Sequence, residues 1–370
     1  MSAHNLVLNS GYELIGKDGH IIKSNFTNGE PVSEGEWSIE SGDRKISGPT
    51  RSLRSGFLEH QFTVMTSNTY TGRMANYKST SWETTGMIRV NHYTGYSSFL
   101  TTDETVTICE EIPHLTEDAD HNPVIQLTLS RGGTMKDSGK SIGIVALGNG
   151  SWYGDQTKEV ISPAFAVNAL DQFKITYTLR FPTSSTASLT QNFFYNWIGT
   201  AIGNVNFTNL QGEPVANNTY PHTDTNASLS AGVNCITAAA GAVDKGLVIG
   251  TSDEAVSWTD YALKAPLGAD IMYPSATAKT DCVGYSGGEL NGYTKCARTF
   301  TNVGTAAVTI REAGIVSKIT QTPNTNPNAS PQPGVMQPGS FLMVRWLLPE
   351  PITVQPEEAI RVYWQPTIVA

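Results

Sequence analysis

Two stretches of this chain say nearly the same thing. Residues 206–215 read N-F-T-N-L-Q-G-E-P-V and residues 25–32 read N-F-T-N-G-E-P-V. A motif that recurs in one chain narrows the possible folds sharply, because a repeated sequence builds a repeated unit. Three further pairs follow in the same order. Residues 62–68 (F-T-V-M-T-S-N) match 247–253 (L-V-I-G-T-S-D), and 106–110 (V-T-I-C-E) match 308–312 (V-T-I-R-E). The longest pair runs without gaps, setting I-S-P-A-F-A-V-N-A-L-D-Q-F-K-I-T-Y at 161–177 against L-P-E-P-I-T-V-Q-P-E-E-A-I-R-V-Y-W at 348–364. In it Val167 answers Val354, Asp171 Glu358, Phe173 Ile360, Lys174 Arg361, Ile175 Val362 and Tyr177 Trp364, so apolar positions stay apolar and charges keep their sign. Four ordered pairs predict a tandem duplication of one β-rich unit. Extra residues of the first copy, within 132–143, account for the shift at the third pair.

A length of 370 residues fits two domains of ordinary size, each able to bury enough apolar surface to fold. Short β-branched and aromatic runs are punctuated by 34 Gly and 19 Pro, the composition of an all-β fold rich in turns. The clearest strand is F-K-I-T-Y-T-L-R-F at 173–181. There Phe173, Ile175, Tyr177, Leu179 and Phe181 face one way and Lys174, Thr176, Thr178 and Arg180 the other. Asp18-Gly19, between apolar runs, predicts a hairpin turn, and Asn28-Gly29 repeats the signal. The runs V-I-Q-L-T-L at 124–129 and S-I-G-I-V-A-L at 141–147 flank a Gly-rich segment and read as a hairpin with a long tip.

One helix is expected. Leu189, Phe193, Trp197 and Ile198 recur at helical spacing, with Ser188 as N-cap and Gly203 as stop. Its aromatic stripe is either core packing, a lock between the two units, or a dock for a neighbouring subunit. The expected layout is thus all-β: two tandem duplicated β-sandwich domains of jelly-roll type, 1–182 and 206–370, joined by a linker with the short helix at 183–205.

Charged residues make up only 15% of the chain and the net charge is −9, so no Lys/Arg footprint for a nucleic-acid backbone exists and nucleic acid is not an expected partner. The start, M-S-A-H-N-L-V-L, lacks the pattern of a signal peptide, and no run is long enough to span a membrane; the expectation is a chain made and folded in a cytosol, with no membrane partner. Cys109, Cys235, Cys282 and Cys296 lie far apart without a C-x-x-C pair. Cys282 and Cys296 could bridge across a hairpin, but free thiols are the expected state in a cytosol.

The second half carries a resemblance. It rests on G-L-V-I-G-T-S-D-E-A-V-S-W-T-D-Y-A-L-K-A-P-L at 246–267, R-T-F-T-N-V-G-T-A-A-V-T-I-R-E-A-G-I at 298–315, and the closing L-P-E-P-I-T-V-Q-P-E-E-A-I-R-V-Y-W. This succession resembles structural proteins of tailed bacteriophages, in which a "V-V-G-T-G…Y-x-L" segment precedes an "R-x-F-T-N…I-x-E-x-G" strand pair and a closing hairpin. It departs from that pattern at Glu358, since a Gly would be expected one or two positions earlier. The resemblance implies a virion component of β-sandwich or jelly-roll units that partners other virion proteins. It contains no catalytic motif and implies no cofactor.

Acidic pairs at Asp103-Glu104, Glu110-Glu111 and within 117–121 (E-D-A-D-H) could serve glycoside hydrolysis, which needs two carboxylates flanking the scissile bond. Their positions at strand ends and in a polar loop favour simple solvation instead. His114, Asp118, Asp120 and His121 offer metal-type donors, but their spacing matches no standard loop. Trp152 and Tyr153, in G-N-G-S-W-Y-G, could stack on a sugar ring or meet a neighbouring subunit. No Ser/His/Asp or Cys/His constellation is defensible from spacing. The sequence therefore predicts a non-enzymatic, homo-oligomeric virion protein of the neck, tail or head surface, with Phe193, Trp197, Trp152 and Tyr153 as candidate interaction residues. The alternative is a receptor protein or depolymerase that binds a host-surface glycan.

Overall fold

In the computed structural model, the structure describes residues 5–27, 34–49, 88–91, 108–117, 120–135, 139–148, 155–183, 186–195, 205–217, 237–286, 289–319 and 339–369. These residues are almost wholly β, in several antiparallel sheets. The alternating strand β10 (Gln172–Pro182) shows why. Phe173, Ile175, Tyr177, Leu179 and Phe181 are all buried, as their period of two requires.

β10 is the centre of a five-stranded sheet. It lies between β3 (Glu34–Ser41) and β7 (Pro123–Thr134), with β4 (Arg44–Pro49) outside β3 and β6 (Ile108–Glu117) outside β7. A three-stranded sheet accompanies it, in the order β5 (Ile88–Asn91), β8 (Lys140–Gly148), β9 (Asp155–Val167). β7 and β8 lie in different sheets, so they are not the hairpin that their sequence suggests. β7 pairs with β6 and β10, whereas β8 pairs with β5 and β9.

A second set of strands is connected in a similar order. β20 (Ala359–Val369) lies between β17 (Glu289–Asn302) and β1 (Asn5–Ile15), with β2 (Ile21–Thr27) outside β1 and β16 (Ala278–Ser286) outside β17. The short β15 (Met272–Pro274) also borders β17. The companion sheet runs β14 (Gly246–Gly250), β18 (Val308–Ile319), β19 (Gly339–Val354), β11 (Ala187–Leu189). A separate hairpin, β12 (Val205–Thr208) with β13 (Pro214–Asn217), completes the described strands.

The correspondence extends to single registers. Ile175 of β10 opposes Arg131 of β7, and Val362 of β20 opposes Arg298 of β17. The β8–β9 ladder jumps from Ile142↔Phe165 to Ile144↔Val160, and the β18–β19 ladder makes the same jump from Ile310↔Ile352 to Glu312↔Leu347. The turns that follow match as well. Leu170 and Glu357, third residues of 168–171 and 355–358, both adopt positive φ, at 64° and 70°. Around them Met135 N–H donates to Asp171 O (3.0 Å) and Leu170 N–H to Met135 O (3.1 Å), while Asn302 N–H donates to Glu358 O (2.9 Å) and Glu357 N–H to Asn302 O (2.8 Å). Glu357 thus occupies the left-handed position where the resemblance would place a glycine.

The amino-terminal strands lie far from their sequence neighbours: β1 and β2 belong to the sheet of β20, because eleven residues of β1 pair with it in one register from Asn5↔Val369 to Ile15↔Ala359. There the amino-terminal hairpin fills the place that β3 and β4 fill beside β10. The expected turn at Asp18-Gly19 is present, Gly19 supplying a φ of 83°.

The helix begins later than expected. Ser188 is not an N-cap: it lies in β11, opposite Arg345. Among the described residues the helix covers 191–195 and begins at Thr190, whose carbonyl accepts the Phe193 and Phe194 N–H groups at 3.0 and 3.3 Å. Thr190 Oγ1–H donates to Leu342 O (2.6 Å), and the Asn192 side chain both donates to Thr208 O (2.8 Å) and accepts from Thr208 N–H (2.9 Å). Local helical propensity over a few residues is weak, and these tertiary bonds decide the conformation.

Candidate functional site

The buried charges have structural employment. Arg345 of β19 and Glu312 of β18 are fully buried, and Asp260 nearly so. Arg345 Nε donates to Glu312 Oε2 at 2.8 Å, and one terminal nitrogen donates to Asp260 Oδ2 at 2.9 Å and to Ala255 O at 3.2 Å. Its other terminal nitrogen reaches Glu254 O at 2.9 Å. Glu312 accepts the Ala265 and Lys264 backbone N–H groups at 2.8 and 3.2 Å; Asp260 accepts Ser257 N–H at 2.9 Å and pairs with Lys264 Nζ at 2.9 Å. Two cations and two carboxylates thus neutralise one another and hold the strandless segment 251–265 against the sheet. Gly250 is required beside them, since a Cβ there would lie 2.6 Å from Ala265 O.

Arg298 is a second such anchor. Its guanidinium donates to the carbonyls of Leu247 (2.8 Å), Ser275 (2.8 Å), Ala239 (2.9 Å) and Lys245 (3.2 Å), so it ties β14 and two loops to β17. Arg131, its counterpart in β7, donates to Ile88 O of β5 at 2.9 Å. β5 and β14 are themselves counterparts, because Ile88 opposes Leu147 of β8 as Leu247 opposes Ile315 of β18. Burial lowers the two guanidinium pKa values to about 9 for Arg131 and about 10 for Arg298, so both stay protonated at neutral pH. Sequence reasoning missed this pair. Its signal is an arginine inside otherwise apolar strands, in L-T-L-S-R-G and K-C-A-R-T-F.

Among the described residues the candidate acids and imidazoles do not converge. Glu117 and His121 meet in an exposed contact at 3.0 Å, with His121 at a φ of 64°. His114 lies on β6, and among the described residues no three His, Cys, Asp or Glu side chains come together as a metal site. Asp103, Glu104 and Asp118, and the side chains of Glu110 and Glu111, fall outside the described residues, as do Trp152, Tyr153 and Trp197. Phe193 is described, and it is buried. Its ring stands edge-on to Phe194 (5.5 Å), which meets Phe181 of β10 (5.2 Å); Tyr195 next in the chain meets Phe207 (6.5 Å), and Phe207 meets Phe341 of β19 (5.1 Å). The helical turn therefore packs inside the fold, from β10 to β19, and offers no docking face at Phe193.

Cys282 and Cys296 are not bridged to each other. β16 and β17 do form a hairpin, but Cys282 opposes Tyr293 and Cys296 opposes Lys279, three residues apart along the strand. That offset is about 10 Å, beyond disulfide reach. Cys296 is buried.

Exposed apolar side chains collect instead on β2. Ile21, Ile22 and Phe26 are about half exposed on a seven-residue strand that borders its sheet. The hairpin that carries them is fastened by Glu350, which accepts the Tyr12 hydroxyl at 2.5 Å and pairs with Lys23 at 2.7 Å. Lys23 and then Tyr12 hold the Glu350 carboxyl below its ordinary pKa, whereas burial and then Glu350 push the Tyr12 phenol up.

No known protein family, curated protein or solved structure matches the chain. Among the described residues no helix is long and apolar enough to cross a membrane.

Proposed function

We propose that this chain is a non-enzymatic structural protein of a tailed-phage virion, placed in the neck, the tail or on the head surface. It would be built of two tandem duplicated β-sandwich units and act through contacts between subunits. The observation that carries the reading is the match of the two sheet sets down to one buried arginine each, Arg131 and Arg298, holding corresponding strands. The buried charged groups of the second set, Arg298, Arg345, Glu312 and Asp260, are engaged in holding backbone, which builds rigid surfaces for assembly. Two similar units in one chain can occupy two quasi-equivalent positions, so a ring of n chains presents 2n units and eases a symmetry mismatch at a connector.

Mass spectrometry of purified virions tests the placement: this chain should be present in fixed, multiple copies per particle. A chain made during infection but absent from the particle would end the virion reading. A reconstruction in which only one unit of each chain touches its partners would remove quasi-equivalence. Polysaccharide binding or cleavage lost in Trp152→Ala would replace assembly with the glycan-binding alternative.

A further inference from the structure

Among the described residues the two sheet sets end on corresponding edge strands, β4 outside β3 and β2 outside β1, and the two edges differ in kind. β4 reads R-K-I-S-G-P: two cations and a proline, the residues that keep an open edge from recruiting another strand. β2 reads I-I-K-S-N-F-T. It has no carboxylate or proline and one cation where β4 has two, each edge carrying one lysine that is ion-paired, Lys23 with Glu350 and Lys45 with Glu40; Ile22 and Phe26 are 58% and 47% exposed. The Phe26 ring covers Gly11, and Ile22, the extra residue where the β1–β2 ladder steps from Leu14↔Lys23 to Ile15↔Ile21, approaches Gly16.

We propose that the outer edge of β2 is a homotypic interface, at which two copies of this chain join their sheets through antiparallel β2–β2 pairing about Ser24. The strand is complementary to itself in that register. Ile22 faces Phe26 of the second copy, Phe26 faces Ile22, Ile21 faces Thr27, and Lys23 faces Asn25, so two apolar cross-strand pairs form and no like charges oppose. A shift that centres the pair on Lys23 sets ammonium against ammonium and is disfavoured. Self-complementarity in this register is what favours a second copy, and β2 brings no acid to a contact between two chains that each carry −9. The inference rests on the assembly reading for its purpose but not on the identity of the particle.

The test is sedimentation of the full chain with two sets of variants. Wild type should associate reversibly, and the double substitution Ile22→Lys and Phe26→Lys, which places lysines opposite one another, should weaken association at least about tenfold while the circular-dichroism spectrum stays that of the folded chain. Ser24→Cys should crosslink copies under mild oxidation, because directly opposed Cβ atoms lie about 5 Å apart. Ser47→Cys on β4 should not crosslink beyond the wild-type level. A wild-type chain that stays monomeric at its highest soluble concentration overturns the interface. So does association that survives the double substitution with no Ser24→Cys crosslink. In either case rebinding of the chain to stripped particles would leave the assembly reading standing.

Discussion

Replacing Arg298 with Met tests whether the buried arginines hold the sheet sets together. Met keeps the length and apolar stem but leaves the carbonyls of Ala239, Lys245, Leu247 and Ser275 without their donor. Hydrogen bonds from a charged donor stabilise by about 1.5–3 kcal/mol each, which taken singly would sum to about 6–12 kcal/mol. Removing the buried guanidinium also removes its desolvation cost of several kcal/mol, so the net loss should be about 3–5 kcal/mol. That is a large part of a typical stability of about 5–15 kcal/mol. Urea unfolding should show a lower midpoint at unchanged slope. Hydrogen exchange should locate the damage: β14, β15 and the segment around Ala239 should lose protection while β8 to β10 keep theirs. In Arg131→Met the pattern should invert, with protection lost at β5. Stability within about 1 kcal/mol of wild type for Arg298→Met, or protection lost evenly across both sheet sets, would refute the reasoning.

Other consequences are smaller in scale. The Glu350 carboxyl titrates below its ordinary value when the hairpin is docked, so its stabilisation is present above the ordinary carboxylate pKa and is lost as pH falls through the depressed one. Exchange protection of β1 and β2 should follow that course, and Glu350→Gln should abolish this step. Tyr12→Ala, which empties a fully buried site, should cost about 3–5 kcal/mol and loosen β20 and β17 rather than β3 and β10. Leu170 is 65% exposed with its backbone left-handed, so Leu170→Gly should raise the thermal midpoint, by up to about 1 kcal/mol in stability. A lower midpoint would show that the Leu170 side chain contributes more than the strain costs.

The fourth sequence pair and the structure agree because everything in it is local. The apolar period of two, the four-residue turn and the strand after it are written within 161–177 and again within 348–364. The other pairs fail for a common reason, that a short β motif says nothing about its partner strand. Phe26 and Phe207 share the words N-F-T-N, yet Phe26 is about half exposed and Phe207 is buried beside Phe341. The V-T-I of β18 corresponds by register to Lys140–Ile142 of β8, not to the similar V-T-I at 106–108. By the same measure Leu247 of β14 answers Ile88, while residues 62–68 lie outside the described part. The amino-terminal hairpin was legible as a hairpin but not as a neighbour of β20, since its partner lies some 350 residues along the chain. Glu312 and Asp260 read as ordinary charges because burial of an ion pair is a property of the assembled sheets.

The most direct test of the assembly account is the mass of the purified chain in solution, alone and after mixing with virions stripped of accessory proteins. The account predicts a multimer of defined size, or saturable return of the chain to the particle. A monomer that ignores the particle and binds bacterial polysaccharide would contradict it.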